Sequence, residues 1–306
     1  MKPIIVGTRG SKLALTQTNH VIEQLLNKHH DTKLEVRVIR TDGDLKPEVP
    51  TANLGLGIFV KEIEEALLNG DIDMAVHSLK DLPSTLPNGL SLGAFCRRGD
   101  PRDAFISSSN LSLARLSAGS RIGTSSPRRS SLLLSQRPDI EIKPLRGNVE
   151  SRLMKIKGPD YDGTVLAVAG LQRLGLGDVI TEYLPPERFV PAPGQGAIVI
   201  ETRKDNHDLY GLLRSIDDPA TRCSVTAERN FLEKLGSGCQ IPAGAYAHIN
   251  DNILIMHAML CSLDGQSMFS TKWSGPASKP REVAMKTFER LVEMGALDVI
   301  EDIEIS

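Results

Sequence analysis

The chain repeats one local pattern, in which a short apolar strand leads through a polar loop into a helix. Ile4 to Val6 is the first such strand, and the loop Gly7 to Ser11 leads into a helix with apolar residues at helical spacing from Ala14 to Leu25. The pattern returns where the strand Arg121 to Gly123 is followed by a helix start at Thr124 to Arg129. A succession of such units predicts parallel sheets with crossover helices, which is an α/β fold.

Further strands and helices of the same kind complete two regions of the chain. In the first region, Leu34 to Val38 alternates as a strand, Val60 to Leu68 has helical spacing, and Ile72 to Val76 is a buried strand. In the second region, Ile140 to Ile142 and Val165 to Val168 are strands that each lead to a helix start. We therefore expect two α/β lobes.

The segment Pro191 to Gly196 is rich in helix and strand breakers, and the strand after it, Ala197 to Glu201, is predicted to return to the first lobe. Two lobes joined by crossing segments, with a cleft between them, are the architecture of solute-binding proteins. Asp218 is the predicted N-cap of a helix from Ala220 to Leu235, and alternating strands precede a last helix from Arg281 to Met294. We predict an α/β protein with two periplasmic-binding-protein-like α/β lobes, at residues 1–97 plus 197–216 and at 98–196, and a third, smaller α+β domain at 217–306.

Charge is segregated along the chain, although the formal net charge is only -2. Residues 121–173 hold ten basic and five acidic side chains, so anion binding must come from local clusters of arginine and lysine. This balance excludes a generally polybasic protein, and we expect no nucleic-acid partner. No apolar run reaches transmembrane length, so we expect a cytoplasmic protein without a membrane partner. The four cysteines are too widely spaced for a zinc knuckle, a CxxC redox pair or a disulfide scaffold, and no metal site is expected. They are Cys96, Cys223, Cys239 and Cys261.

The helix start after Gly123 is the strongest local sign of an anion site. Ser126 is a plausible N-cap with Pro127 at the first helical position. Arg128 and Arg129 then lie in the first turn, where each opposes the helix dipole by about 0.3 kcal/mol or more. Two arginines are better explained there if an anion is held by guanidinium and backbone N–H groups together.

Arginines recur at the same position in neighbouring units. Arg146 and Arg152 flank Asn148, a predicted N-cap, and Arg173 is predicted to lie at the helix start after the next strand. In the first lobe, Arg9 and Ser11 precede a helix, a position that suits an anion. An arginine that caps its own loop explains Arg9 equally well.

The octet Val76 to Pro83 ends a buried strand at a proline that cannot continue a ladder, so its polar residues fall at a strand-to-loop exit. Open α/β sheets place their chemistry at such exits. Asp81, beside Lys80, is either a fixed carboxylate on a constrained loop or an ordinary turn aspartate. Cys239 lies in a glycine-flanked loop, where its thiol is either reachable and reactive or buried and inert.

These motifs together resemble the porphobilinogen deaminase (hydroxymethylbilane synthase) family along nearly the whole chain. The resemblance implies a three-domain transferase that condenses four porphobilinogen molecules head to tail into hydroxymethylbilane, with release of ammonia. It also implies a dipyrromethane primer attached by a thioether to Cys239. The matching segments are VHSLKDLP at Val76 to Pro83, GTSSPRR at Gly123 to Arg129, LRGN at Leu145 to Asn148, LAVAGLQRLG at Leu166 to Gly175, PGQGA at Pro193 to Ala197 and GCQIP at Gly238 to Pro242.

The resemblance also implies roles for individual residues. Asp81 is the catalytic carboxylate that would hydrogen-bond pyrrole N–H groups, shuttle protons and stabilise the cation left when ammonia departs. Besides the covalent Cys239, the cofactor-binding residues are Lys80, Thr124, Ser125, Ser126, Arg128, Arg129 and Arg146. The substrate-binding residues are Arg9, Ser11, Phe59, Arg152, Arg173 and Gln195. Arginines suit this chemistry because each pyrrole carries an acetate and a propionate.

Some alternatives stay open. Phe59 either stacks on a pyrrole ring or is a core residue at a helix start. The loop Asn53 to Ile58 is shorter than in many family members and lacks lysine, and Asp42 stands where the family often has a basic residue. The small-molecule partner implied by the resemblance is porphobilinogen, and we expect a monomer. A cytosolic anion-binding receptor on the same two lobes is the competing hypothesis, and no phosphate-loop context favours a pyridoxal-phosphate enzyme.

Overall fold

The structure is a computed structural model that describes residues 2–41, 60–236 and 241–299. The chain divides into two compact units, each made of two separate stretches. Unit 1 comprises Met1–Gly99 and Gly196–Arg222, and unit 2 comprises Asp100–Gln195 and Cys223–Ser306. The three domains expected from the sequence stay a prediction, since the third sheet belongs to unit 2.

The strands are β1 Ile4–Arg9, β2 Leu34–Ile39, β3 Met74–Ser78, β4 Leu90–Phe95, β5 Asp103–Ser107, β6 Arg121–Gly123, β7 Glu141–Lys143, β8 Gly163–Ala167, β9 Glu182–Leu184, β10 Ile198–Arg203, β11 Ala243–Asn250, β12 Ile253–Cys261 and β13 Met268–Pro276. The helices are α1 Lys12–Lys28, α2 Lys61–Leu68, α3 Pro127–Gln136, α4 Val149–Lys155, α5 Val168–Arg173, α6 Asp208–Arg214, α7 Pro219–Lys234 and α8 Pro280–Glu293.

Unit 1 is a five-stranded sheet in the order β2-β1-β3-β10-β4, with helices on both faces. On one face, Val21 and Leu25 of α1 pack against apolar residues of β1, β3 and β10. On the other face, Ile63 and Leu67 of α2 pack against Ala75 and its neighbours. Each fully buried leucine or isoleucine of this kind stabilises the fold by about 1.5–3 kcal/mol.

Unit 2 contains a second five-stranded sheet, in the order β7-β6-β8-β5-β9, and a three-stranded antiparallel sheet, β11-β12-β13. Helices α7 and α8 cover one face of the small sheet, where Phe231 and Leu291 are fully buried. Met259 and Cys261 of β12 instead join the core of the larger sheet. The small sheet is therefore packed firmly on its neighbour within this unit.

The α/β fold class is confirmed, but neither large sheet is purely parallel. Strand β10 runs antiparallel to β3 and β4, and β5 runs antiparallel to β8 and β9. Each of these two strands runs antiparallel because it begins at the sheet edge where its neighbouring strand ends. Leu79 N, just after β3, donates to Ala197 O, just before β10, so β10 starts at the edge where β3 ends. Likewise Asp103, the first residue of β5, is paired with Ala167, the last residue of β8.

Two local predictions differ from the structure. The buried strand expected at Ile72 to Val76 is Met74–Ser78, so His77 and Ser78 still belong to the sheet. The helix after β8 begins at once at Val168, because Val168 to Leu171 are apolar and buried, and Arg173 is its last residue. The predicted place of Arg173 at a helix start is therefore wrong. Its charge lies at the end of the helix that favours cations.

Candidate active site

In unit 1, two polar exits share one edge of the sheet. Strands β1 and β3 are adjacent and parallel, with Val6 opposite Met74, so their carboxyl ends lie together. Arg9 ends β1, and β3 leads into a single 3-10 turn, Leu79–Asp81. The side chains of Gln17 in α1 and Ser78 in β3 lie within hydrogen-bond distance at 2.9 Å, which ties α1 to this edge.

Asp81 is an exposed carboxylate on an anchored turn. The residues on either side of the Lys80–Asp81 pair, Leu79 and Leu82, are buried. Leu79 N donates to Ala197 O at 3.0 Å, and Leu82 N donates to Leu79 O at 3.2 Å. Among the residues that the structure describes, none hydrogen-bonds to the Asp81 carboxylate. The backbone is therefore held while the carboxylate faces solvent, as a group that exchanges protons with a ligand requires.

The predicted anion-binding residues of this unit lie around the same edge. Ser11 is the N-cap of α1, and its hydroxyl accepts from Ala14 N at 3.3 Å. Arg9 and Lys80 are half-buried and take part in further interactions. The edge thus combines one carboxylate with two cations, and the functional interpretation of Arg9 stays a prediction.

Three buried ionisable side chains, which the sequence analysis missed, lie in unit 1 on β3, β10 and α2. His77 Nε2 is 3.1 Å from Glu201 Oε2, without hydrogen-bond alignment, and both side chains are buried. Burial, and then the charge of Glu201, raises the pKa of Glu64 to about 7. The available signal was a histidine and a glutamate inside otherwise apolar strands, since such residues are rarely buried without partners.

In unit 2, two buried arginines share one buried carboxylate. Arg128 Nη2 donates to Asp103 Oδ2 at 2.8 Å, and Arg128 Nη1 donates to Val190 O at 2.8 Å. Arg129 donates to Asp103 Oδ1 from Nη2 at 2.7 Å and from Nε at 3.1 Å. Desolvation lowers the pKa of Arg128, and the charge of Asp103 acts in the opposite direction. The anion inferred from the two arginines is thus supplied, at least in part, by the chain itself.

The predicted N-cap at the start of α3 is confirmed. Ser126 Oγ accepts from Arg129 N at 3.4 Å, and Ser126 N donates to Thr124 Oγ1 at 3.2 Å. Ser125 exchanges hydrogen bonds with the backbone of Leu145, since its Oγ accepts from Leu145 N at 3.1 Å and lies 3.3 Å from Leu145 O. The loop after β6 is thereby tied to the loop that carries Arg146.

Two glycines permit this packing. A Cβ on Gly123 would lie 2.7 Å from Leu145 Cδ2 and 2.9 Å from Tyr161 Cδ1. Gly147 has φ +116, a conformation that favours glycine, and a Cβ there would meet Ser151 Oγ. The GTSS and LRGN motifs are therefore close-packed loops at neighbouring strand exits.

Arg146 and Arg152 belong to the second loop and to α4. Asn148 caps α4, as predicted, with its Oδ1 accepting from Ser151 N at 2.8 Å. Arg152 Nε donates to Gly147 O at 2.7 Å, and Lys155 Nζ donates to Arg146 O at 3.1 Å. Because β6 and β7 are adjacent and parallel, Arg146 and the start of α3 occupy the same edge of the sheet.

Gln195 is fully buried. Its Nε2 donates to Pro101 O at 2.8 Å and to Asp103 Oδ1 at 3.1 Å. The preceding residue is held by Glu228, whose Oε2 accepts from Gly194 N at 2.6 Å and whose Oε1 accepts from Ala247 N at 2.8 Å. Gln195 therefore supports Asp103, and its predicted contact with substrate stays a prediction.

Several predicted features fall outside the described residues, namely Cys239, Phe59, Asp42 and the loop Asn53 to Ile58. In residues 2–41, 60–236 and 241–299, no group of three or more His, Cys, Asp or Glu side chains is arranged to hold a metal ion. Over the same residues, no helix combines the length and the apolar character needed to cross a bilayer.

Two family models match the chain. The one described as porphobilinogen deaminase, dipyromethane cofactor binding domain, matches residues 4–210. The one described as porphobilinogen deaminase, C-terminal domain, matches residues 222–293.

Individual relatives agree with this match. The porphobilinogen deaminase of Bacillus cereus strain B4264 is 48% identical over 303 residues, which is 98% of this chain and 97% of the relative. The protein of the same name from Bacillus thuringiensis subsp. konkukian strain 97-27 has the same identity and coverage. Among solved structures, the methionine binding protein MetQ is similar over 74% of this chain and 93% of its own, with 16% identity and a TM-score of 0.43.

Proposed function

The chain belongs to the porphobilinogen deaminase family, and from that membership we propose how its residues divide the work of the reaction. The enzyme condenses four porphobilinogen molecules into the linear tetrapyrrole hydroxymethylbilane and releases ammonia at each step. It does so on a covalently attached dipyrromethane cofactor, and the product belongs to tetrapyrrole (haem) biosynthesis. What remains to be assigned is the role of each side chain.

Asp81 is the proposed catalytic acid and base. In its protonated form, an exposed carboxyl group on an anchored turn can donate a proton to the amine that leaves as ammonia, and the carboxylate that results can stabilise the cation that remains on the substrate. The same carboxylate can then remove the α-proton of the attacking pyrrole to restore aromaticity. Arg9 and Lys80 at the same sheet edge, with Ser11 at the start of α1, are proposed to bind substrate and cofactor carboxylates.

The strand exits of unit 2 are proposed to bind the acidic side chains of the cofactor and of the growing chain. The observation that carries this proposal is the pair of guanidinium groups on Asp103, because two cations around one anion leave a positive charge that suits a further carboxylate. The donor chemistry therefore fits a carboxylate-bearing cofactor, which when bound supplies the primer for elongation. With Arg128 and Arg129, the proposed cofactor set is Thr124, Ser125, Ser126 and Arg146, and the proposed substrate set includes Arg152 and Arg173.

Cys239 is the proposed attachment point, because its thiolate can add to an electrophilic pyrrole methylene to form a thioether. Phe59 is proposed to stack on a pyrrole ring. We further propose that the enzyme acts as a monomer in the cytoplasm, with porphobilinogen as its small-molecule partner and no nucleic-acid or membrane partner.

The intact mass of freshly purified protein, with peptide mapping of the segment around Cys239, tests the attachment. An adduct of dipyrromethane size on Cys239 supports the assignment, and porphobilinogen should then add further mass steps. A chain that stays unmodified before and after incubation with porphobilinogen would instead favour a receptor that binds anions reversibly.

A further inference from the structure

We propose that Asp103 is a positioning residue for cofactor binding, with Gln195 as its support, an inference that rests on the proposed function of Arg128 and Arg129. Asp103 does not touch the reacting atoms in this proposal. It holds two guanidinium groups in one fixed arrangement, so that their remaining N–H groups are presented to the acidic side chains of the cofactor.

The hydrogen bonds around Asp103 define both guanidinium planes. Arg129 binds Oδ1 side-on through Nε and Nη2, which fixes the plane of its guanidinium group. Arg128 is fixed at two points, by Asp103 Oδ2 and by Val190 O. Each guanidinium group has five donors and uses two in these contacts, so each keeps donors for a second anion.

Asp103 is itself oriented by groups from distant parts of unit 2. It begins β5, at the sheet edge where β8 ends. Gln195 Nε2 donates to its Oδ1, and the backbone next to Gln195 is held by the buried carboxylate of Glu228. A continuous polar path therefore runs from α7 through the PGQG loop to the two arginines. All of its side chains are buried, so their positions are fixed by packing as well as by hydrogen bonds.

An electrostatic role and a positioning role for Asp103 predict opposite changes in the rate of cofactor capture when its carboxylate is lost. In Asp103→Asn, the negative charge that separates the two arginines disappears, so a purely electrostatic role for Asp103 predicts faster capture of an acidic ligand. The amide group, however, would turn N–H donors toward at least one guanidinium donor. If orientation decides binding, capture becomes slower, because the arginines no longer present a fixed pair of donors.

The test follows formation of the covalent adduct on Cys239. Chains are expressed in a host that cannot make porphobilinogen, purified, incubated with porphobilinogen, and analysed by intact mass over time. We expect Asp103→Asn to acquire the adduct slower by about tenfold to a hundredfold. Asp139→Asn is the matched control, because Asp139 binds Arg137 through both oxygens on the surface of the same unit, and it should keep the wild-type rate.

Gln195→Met provides a second variant that changes no charge and little volume. It removes a donor from Asp103 Oδ1, and we expect adduct formation to slow by about twofold to tenfold. Circular dichroism of each variant at the assay temperature establishes that the folded chain is being compared. If Asp103→Asn does not fold, Gln195→Met decides the question.

The outcomes separate the two levels of the proposal. A wild-type chain that never acquires an adduct overturns the proposed function and the role of Asp103 with it. If a folded Asp103→Asn or Gln195→Met chain acquires the adduct as fast as the wild-type chain, the positioning role alone is overturned. Slower adduct formation in both variants, with an unchanged Asp139→Asn control, supports it.

Discussion

Strand exits in the two units carry sites of opposite construction. In unit 1, Asp81 is exposed on a turn whose backbone is hydrogen-bonded and whose apolar neighbours, Leu79 and Leu82, are buried. In unit 2, Arg128 and Arg129 are buried and bound through their side chains to Asp103. A group that exchanges protons with successive substrates must be reachable, whereas groups that bind one persistent anion gain from being fixed in advance. In the proposed mechanism, the same edge of an α/β sheet serves both purposes.

A second contrast concerns the buried carboxylates of the two units. Asp103 accepts hydrogen bonds from two arginines and a glutamine. Glu201 faces His77 without hydrogen-bond alignment, and burial together with the charge of Glu201 raises the pKa of Glu64. Asp103 is thus an anion with several hydrogen-bond donors, whereas Glu64 is an acid whose charged form is disfavoured by its surroundings.

Loss of the Asp81 carboxylate should produce the largest effect on activity. We expect Asp81→Asn to lower kcat by about a thousandfold or more, because it removes a general acid and base. Folding and the Cys239 adduct should be unchanged, since the described residues give the side chain no hydrogen bond. Turnover assays with intact mass on the same sample measure both quantities, and a near-normal kcat would remove Asp81 from the mechanism.

Loss of the Asp103 carboxylate should have the largest effect on stability. We expect Asp103→Asn to lower the free energy of unfolding by about 3–5 kcal/mol, because it leaves buried guanidinium charge without its anion. Urea unfolding of Asp103→Asn beside Asp139→Asn makes the comparison. The surface variant should unfold close to the wild-type midpoint, and equal midpoints for the two variants would contradict the buried role of Asp103.

Glu64 should make unit 1 sensitive to pH. Its folded pKa, about 7, is above its unfolded value near 4.5, so the stability linked to its protonated form is complete below the unfolded value and is lost as the pH rises through 7. Glu64→Gln removes this dependence. At pH 5 the variant should differ from wild type mainly by the loss of the contacts that the acid itself makes. At pH 8 the free energy of unfolding of the variant, relative to wild type, should be higher than at pH 5 by on the order of 2 kcal/mol. Chemical denaturation at both pH values tests it, and a pH-independent difference would contradict the assignment.

The smallest expected effect is at the tie between α1 and the Asp81 edge. Ser78→Ala removes the hydrogen bond with Gln17, and we expect the free energy of unfolding to fall by about 1 kcal/mol. Because the turn is also held by Leu79 and Leu82, kcat should fall far less than in Asp81→Asn. Thermal unfolding and turnover of the same preparation check both statements, and a kcat loss as large as that of Asp81→Asn would show that the apolar anchors are insufficient.

The features that sequence reasoning predicted correctly are local ones. Ser126 and Asn148 cap the helices that they were expected to cap, because an N-cap involves only residues within one turn. The polar exit at Leu79–Asp81 was recognised from an apolar run followed by Pro83. Strand Ile198–Arg203 joins the first lobe as predicted, although its direction was not foreseen.

The omission of Asp103 from the predicted site follows from the direction of strand β5. An all-parallel sheet would put the start of β5 at the opposite edge from the arginines, so nothing in the sequence pointed to Asp103 as their partner. The residues concerned are 25 positions apart for Asp103 and Arg128 and 92 positions apart for Gln195 and Asp103. Arg173 was misplaced for a different reason, since buried apolar residues extended α5 toward its N-terminus.

The sequence by itself determined the α/β units, the helix caps and the motifs that identify the family, because each depends on neighbouring residues. The tertiary structure alone decided which carboxylate of the chain Arg128 and Arg129 bind, that Glu201 lies beside His77, and that Gln195 donates a hydrogen bond to Asp103. The physical reason is that burial and strand direction depend on distant segments. The pairing of a buried charge follows from both, and it becomes defined only when the sheet is assembled.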